Sequence, residues 1–457
     1  MSVSAKTAPI GGVPALRRAA ASAGAVLAVS FALAVVLARQ APPPPLLVAV
    51  AAVAALAIVG LVLVRYEAAI ALGLLLLAVV RFQPTPTDAV FAVVICAAVL
   101  SGRFHPSRVP SVVIGLLAAL LALNAVSAID SVSIGTALSF FSITLYLALF
   151  AIWLASYVDC RRRSQRVVVW YLTAALISAA LGVLAVLAPI PGRSTLLFDG
   201  RADGFFKDPN VFGPFLIPAL LILLEETVTP RLLPAPRRLK LAGVILLGLG
   251  VLFSYSRAAW VDLAVALVTM LAVLLLRRHS ARTTARLLAV LSVILVSGAT
   301  AIALSGAGGF LQERAALQGY DTSRFSAQAA GISLGEHHPI GVGPGQVDVI
   351  LPLATHNAYV RAFAEQGPLG LLLVLALLLG TLGFAARNVL HGRDTYGIGS
   401  AVLLAAWCGL LVNSAVIDTL HWRHLWIVAA LIWAGAARDA SSGTFGDATR
   451  AVSAAPT

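Results

Sequence analysis

Charge is scarce in this chain: 11% of its 457 residues are Asp, Glu, Lys or Arg, against 60% that are apolar. A soluble domain of this size needs far more polar surface than that. Cysteine is scarcer still. Cys96, Cys160 and Cys408 form an odd set without the paired spacing of a disulfide framework or a structural zinc site. The chain also lacks runs of strict apolar and polar alternation, the pattern of a membrane β-barrel strand. An open sheet is excluded because its edges leave backbone groups unpaired in lipid. Internal repeats are absent as well, and Ala and Leu enrichment gives weak self-matches little meaning.

In place of these, Leu, Ala and Val blocks of membrane-spanning length recur along nearly the whole chain. They predict an all-α fold, a polytopic transmembrane helical bundle. Candidate spans fall near 19–38, 46–64, 68–80, 87–100, 109–126, 138–157, 167–188, 211–226, 239–253, 258–276, 287–304, 367–385, 397–414 and 421–437. The blocks 68–80 and 87–100 are short, so the count is about 12–14 spans. An even number places both termini on one side. The first block follows Arg17 and Arg18 and reads as a span, since removal of a leader would take away one crossing.

Lys and Arg then settle the orientation. With the N-terminus inside, most of the 32 basic residues fall in cytoplasmic loops, among them Arg161 to Arg163 with Arg166, and Arg277, Arg278, Arg282 and Arg286. The net charge of +13 is accounted for by this bias and by anionic lipid, and loops this short offer no nucleic-acid surface. The predicted organisation is a tail at 1–18, N-terminal transmembrane helices at 19–188, a core at 189–438 with an external loop at 305–366, and a second tail at 439–457.

Function is sought where polar residues interrupt the apolar blocks on the external side. The loop 189–210 carries Asp199 to Asn210, in which Gly200 and Gly204 flank Arg201, and Asn210 is placed to cap the next helix. Arg201 either pairs with Asp199 or Asp203 or binds a ligand. At Ser254 to Trp260, Arg257 lies at the external junction of two spans and either snorkels or meets an anion. Asp262, five residues on, is off the helical rows that would pair it with Arg257.

In the long loop, Arg324 precedes a helical stretch around Gln328, and His337, His338, Pro339, Gly341, Gly343 and Gly345 describe a tight turn. His337 and His338 have no metal-ligand spacing. Thr355 or Asn357 caps a short helix in which Arg361 and Glu365 are an i, i+4 pair, and Gly367 with Pro368 ends it. His356 is left at that helix start, on the same side as the three arginines. The external carboxylates Asp199, Asp203, Asp321 and Glu336 are alternative partners that would neutralise these arginines, and Asp418, His421 and Arg423 at the last external turn either belong to the site or pack.

Four of these segments in this order, RADGFFKDPNVFGPFL, SYSRAAW, TSRF followed by HHPIGVGPG, and THNAYVRAFAEQGPLG, resemble the O-antigen ligase and O-antigen polymerase superfamily. The first six or so helices match it only in being apolar. The resemblance implies a GT-C-like membrane glycosyltransferase with a prominent periplasmic loop. Such an enzyme moves a glycan from a polyprenyl diphosphate carrier to an acceptor hydroxyl, without metal or cofactor. Carried over by position, Arg201 and Arg257 hold the diphosphate, Arg324 is a further loop cation, and His356 is the base. Asn210, Asn357, Arg361, His338 and Arg423 are supporting candidates, with His338 and Gly341 forming a structural turn.

The expected partners are the lipid-linked glycan, a glycan or lipid acceptor, and membrane lipids. The expected location is the inner (plasma) membrane, with both termini cytoplasmic and the site facing the periplasm or exterior. Ligase and polysaccharide polymerase share the motifs. A secondary transporter or flippase is the rival from another class, and it predicts repeated halves with ionisable groups at the bilayer midplane, a description that Asp262 alone approaches. A non-catalytic scaffold would leave His356 replaceable.

Overall fold

A computed structural model describes residues 45–81, 85–277, 281–306, 308–316 and 319–437. The expected span at 19–38 and both tails lie outside these residues. The helices in chain order are α1 (Pro45–Val64), α2 (Tyr66–Leu75), α3 (Pro86–Leu100), α4 (Ser111–Ser127), α5 (Ile134–Tyr157) and α6 (Arg161–Leu187). A hairpin of β1 (Leu197–Phe198) and β2 (Arg201–Ala202) precedes α7 (Pro209–Val228), α8 (Arg237–Phe253), α9 (Arg257–Leu276) and α10 (Ala281–Ser305). The short α11 (Gly308–Ala315), α12 (Gly319–His337) and α13 (Val347–Ile350) lead to α14 (Ala358–Leu390), α15 (Ser400–Ser414) and α16 (Arg423–Ala436).

Seven of these, α4 to α7, α9, α10 and α14, are long and apolar enough to cross a membrane, and shorter apolar helices accompany them. The chain is a polytopic helical membrane protein.

Polar contacts between helix ends define two faces. At one, Arg201 reaches the backbone at the end of α8, Asn357 before α14 reaches the end of α15, and Arg423 at the start of α16 reaches Asp88 in the first turn of α3. At the other, Glu225 near the end of α7 accepts from the amide of Gly399 just before α15. Helix α7 is buried along nearly its whole length, whereas α10 leaves Leu288, Leu295, Val296 and Leu304 exposed. Gly213 lets α7 come close to α9: a Cβ there would stand 2.7 Å from that of Ala259 and 2.8 Å from Oγ of Ser254.

The break in α14 has a clear cause. Gly367 takes φ 69° and ψ −170°, and Pro368 has no N–H to return to the carbonyl of Ala364. The amide of Val342 donates to that carbonyl at 3.1 Å instead, and the amide of Gly343 to that of Glu365 at 3.0 Å. The glycine-rich turn therefore satisfies the acceptors that the kink would leave orphaned in an apolar setting. It fits only because it is bare: a Cβ on Gly341 would stand 2.2 Å from the carbonyl carbon and oxygen of Glu365. The expected helix end at Gly367 and Pro368 is present, and the two helical segments of α14 meet there across the kink.

Candidate functional site

The hairpin turns on Asp199 and Gly200, both at positive φ, which is the geometry of a two-residue type I′ connection. It buries Arg201, whose Nε donates to the carbonyl of Ser254 at 3.0 Å and whose Nη2 donates to Oδ1 of Asn210 at 3.0 Å. Asn210 is therefore an arginine partner, and the cap of α7 is Asp208, whose Oδ1 accepts from the amide of Asn210 at 2.8 Å. This corrects the expected capping by Asn210. Pro209 has its φ preset for the first helical position and lacks a donor, so the capping position falls to the residue before it. Beside Arg201, Asp203 is 3% exposed, and burial pushes its carboxyl up to about 6 against the opposing pull of Arg81 and Arg201.

The carbonyl that Arg201 grips begins the linker between α8 and α9. Tyr255 bends it with φ 47°, and Ser256 caps α9 by accepting from the amide of Ala259 at 3.3 Å. Arg257 then leaves the first position of α9 and reaches out of the bundle. Its Nη2 donates to Oδ1 of Asp321 at 2.6 Å and its Nη1 to the carbonyl of Ala316 at 3.2 Å. Phe310 of α11 stands edge-on to Tyr255, ring centroids 4.6 Å apart, and holds the loop segment over this linker. The anion that Arg257 meets within the protein is thus Asp321, one of the four external carboxylates expected as alternative partners, though its pairing with Arg257 over more than 60 residues is not legible from spacing.

Arg324 lies inside α12, one turn after Asp321, not ahead of the helix as the sequence suggested. Helix α12 packs on the first turns of α14, close enough that a Cβ on Gly335 would meet the Phe363 ring at 2.5 Å. The positive charge of Arg324 acts on His356. His356 is half-buried, at φ 47°, between the buried Thr355 and the cap Asn357. Burial first, then Arg324, lowers its pKa below the ordinary 6.5, with Asp208 and Asp348 opposing and Arg361 adding to the depression. Neutral imidazole is therefore the form that prevails at pH 7. Asn357 is committed to structure: its Oδ1 accepts from the amides of Tyr359 and Val360, and its Nδ2 donates to the carbonyl of Ala415 at 2.8 Å.

Hydrogen bonds make some of these links, and charge acting across space makes the others. Arg201 holds Asn210 and the linker before Arg257, Arg257 holds Asp321, and Arg324 one turn on acts on His356. Asp208, beside Asn210, also acts on His356. Arg201, Arg257 and His356 thus stand at or beside helix ends on the same face of the bundle, with Arg324 near enough for its charge to act on His356.

The remaining candidates are engaged in contacts within the protein. Arg361 is 7% exposed, with Nε on Oε1 of Glu365 at 2.9 Å, Nη1 on Oδ2 of Asp418 at 2.6 Å, Nη2 on Oδ2 of Asp348 at 2.5 Å, and its guanidinium over the Phe140 ring. The helix pair with Glu365 is present, but two further carboxylates make Arg361 a pin between α13, α14 and the last turn. Burial would raise Asp418, yet Arg361 and His421 hold it below the usual carboxylate value. Arg423 forks onto Asp88, Nε to Oδ1 at 2.7 Å and Nη2 to Oδ2. His421 contacts Oγ1 of Thr144 at 3.2 Å and the edge of Phe140. His338 is exposed and its Nδ1 meets the carbonyl of Leu334 at 2.8 Å, a helix-end contact. Asp262 is 1% exposed and bound to Nδ2 of Asn413 at 3.0 Å, a buried pin between α9 and α15.

Comparison with known proteins adds one assignment. Residues 242–375 match the family model described as O-antigen ligase. The matched stretch runs from α8 to beyond the kink of α14; it contains Arg257, Arg324, His356 and Arg361, and leaves Arg201, Asn210 and Arg423 outside. No curated protein matches the chain. This polytopic helical membrane protein thus carries, over residues 242–375, the domain of the O-antigen ligase family.

Proposed function

We propose that the protein is a membrane glycosyltransferase that moves a glycan from a polyprenyl diphosphate carrier to an acceptor hydroxyl on the extracytoplasmic side, as an O-antigen ligase does. The carrying observation is that Arg201, Arg257 and His356 stand at or beside helix ends on one face of the bundle, with the charge of Arg324 acting on His356. A polyprenyl diphosphate keeps its tail in lipid and its charge at the interface, where guanidinium groups meet phosphate oxygens in bidentate fashion.

His356 takes the proton from the acceptor hydroxyl, whose oxygen attacks the anomeric carbon as the bond to the diphosphate breaks. One displacement inverts that carbon and releases polyprenyl diphosphate. Negative charge grows on the leaving diphosphate during this step, so Arg257 and Arg324 stabilise the transition state more than the ground state. Arg201, buried and bound to the Ser254 carbonyl, supports the linker that aims Arg257 while adding its own positive field. The depressed pKa of His356 keeps the base unprotonated at neutral pH.

The test is reconstitution in vesicles carrying a polyprenyl diphosphate glycan, with a soluble acceptor outside. Glycosylated acceptor with stoichiometric release of polyprenyl diphosphate is expected. Movement of the intact lipid-linked glycan between leaflets, with no new glycosidic bond, is the transporter's result and would overturn the reading. Growth of the carrier-linked chain in place of acceptor glycosylation would assign the polymerase reaction.

A further inference from the structure

A cavity of about 330 Å³ lies at the face opposite His356, where α7, α9 and α14 end and α10 and α15 begin. Glu225, Arg231, Arg277 and Asp394 line it, beside Met270, Leu274 and Leu287. Nothing in the glycosyl-transfer chemistry uses these groups. Glu225 is 9% exposed, and its Oε2 accepts from the amide of Gly399 at 2.9 Å. Its Oε1 faces Arg231 at 3.8 Å, beyond hydrogen-bond range. Gly399 is what lets the carboxylate lie there, since a Cβ at that position would stand 1.9 Å from Oε1.

Arg277 closes the opposite rim. Its guanidinium comes within 3.8 Å of where a Cβ on Gly392 would be, and no carboxylate pairs with it among the described residues. The cavity thus presents a carboxylate oxygen with acceptor capacity to spare and a guanidinium with donors to spare. A ligand that is only anionic meets Glu225 and Asp394; one that is only cationic meets Arg231 and Arg277. A group carrying both a phosphate and a primary ammonium satisfies both sides. Quaternary ammonium has no N–H and leaves Oε1 without a donor. The apolar wall leads to lipid-facing surface, because Leu275, Leu276 and Leu288, next to the lining residues Leu274 and Leu287, are exposed.

We propose that this cavity binds a phosphoethanolamine group, with the ammonium on Glu225 and the phosphate on Arg277. The purified full chain is to be titrated by native mass spectrometry with phosphatidylethanolamine and phosphatidylcholine of matched acyl chains, with and without soluble phosphoethanolamine. Retention of the ethanolamine lipid about tenfold above the choline lipid is expected, the worth of one charge-assisted hydrogen bond. Glu225→Gln keeps an acceptor for Gly399 and should erase that preference. Arg277→Gln, on the exposed rim, should weaken retention of both lipids. Displacement by soluble phosphoethanolamine supports a site that the headgroup alone fills, and resistance to it supports a site for the whole lipid. Equal retention of the two lipids by the wild type, or a preference unchanged in Glu225→Gln, overturns the proposal.

Discussion

Oδ1 of Asp321 accepts a 2.6 Å hydrogen bond from Nη2 of Arg257, so the arginine proposed to hold the diphosphate is occupied by a carboxylate of the protein itself. The pair is partly solvated, with 29% of the arginine and 13% of the aspartate side chain exposed, and such a pair is worth about 1 kcal/mol. A phosphate competes with Asp321 for the guanidinium and is repelled by its charge. Asp321→Asn keeps the shape and removes the charge. Binding of polyprenyl diphosphate to this variant, followed by fluorescence titration, should tighten about fivefold. Weaker binding would mean that Asp321 aims Arg257 and does not compete with the ligand.

The pH profile follows from the neighbours of His356. Its pKa is lowered by burial and then by Arg324, so the proposed base is neutral above that value and lost by protonation as pH falls through it. The acid limb of kcat/KM should therefore lie below 6.5. Removing the positive charge in Arg324→Gln lets the pKa rise, and the limb should move to higher pH even as the overall rate falls. An acid limb that stays in place in this variant would separate Arg324 from His356.

Stability near the site depends on the turn that passes over the kink of α14. Gly341→Ala introduces a Cβ 2.2 Å from the backbone of Glu365, at a φ of 77° that side chains rarely adopt. Strain and displacement together should cost about 2 kcal/mol or more. The expected result is a lower detergent-solubilised Tm and loss of transfer. Gly380→Ala, where a Cβ meets nothing within 4 Å, is the control and should leave both unchanged.

Arg423 is argued to be structural because Asp88 takes both arms of its fork. Arg423→Ala leaves a nearly buried carboxylate unpaired, a loss of roughly 3 kcal/mol. The double variant Arg423→Met, Asp88→Asn, which removes both charges and keeps an acceptor for the Thr85 amide, should recover most of the lost Tm and retain transfer. Loss of transfer in a double variant that melts like the wild type would place Arg423 in the chemistry.

The helical bundle was legible because apolar blocks of bilayer length have one structural solution in lipid. The cap at Asn357, the Arg361 pair with Glu365 and the break at Gly367 and Pro368 were legible because each is a local rule within a few residues. Partners far apart in sequence were not. Asp321 for Arg257, Asp348 and Asp418 for Arg361, and Asp88 for Arg423 are set by which loops meet over the bundle, and no periodicity carries that. Asn210 was misjudged as a cap because Pro209 shifts the helix start by a residue pair, and its amide oxygen went to Arg201. The paired cations were visible as residues, but not which would be shared with internal carboxylates.

The central claim is that His356 is the base at the acceptor hydroxyl. The most direct measurement compares wild type and His356→Ala in vesicles holding a polyprenyl diphosphate glycan, scoring transfer to acceptor and binding of the lipid substrate in the same preparation. The account predicts that transfer disappears while lipid binding and folding persist. Transfer at the wild-type rate by His356→Ala would contradict it.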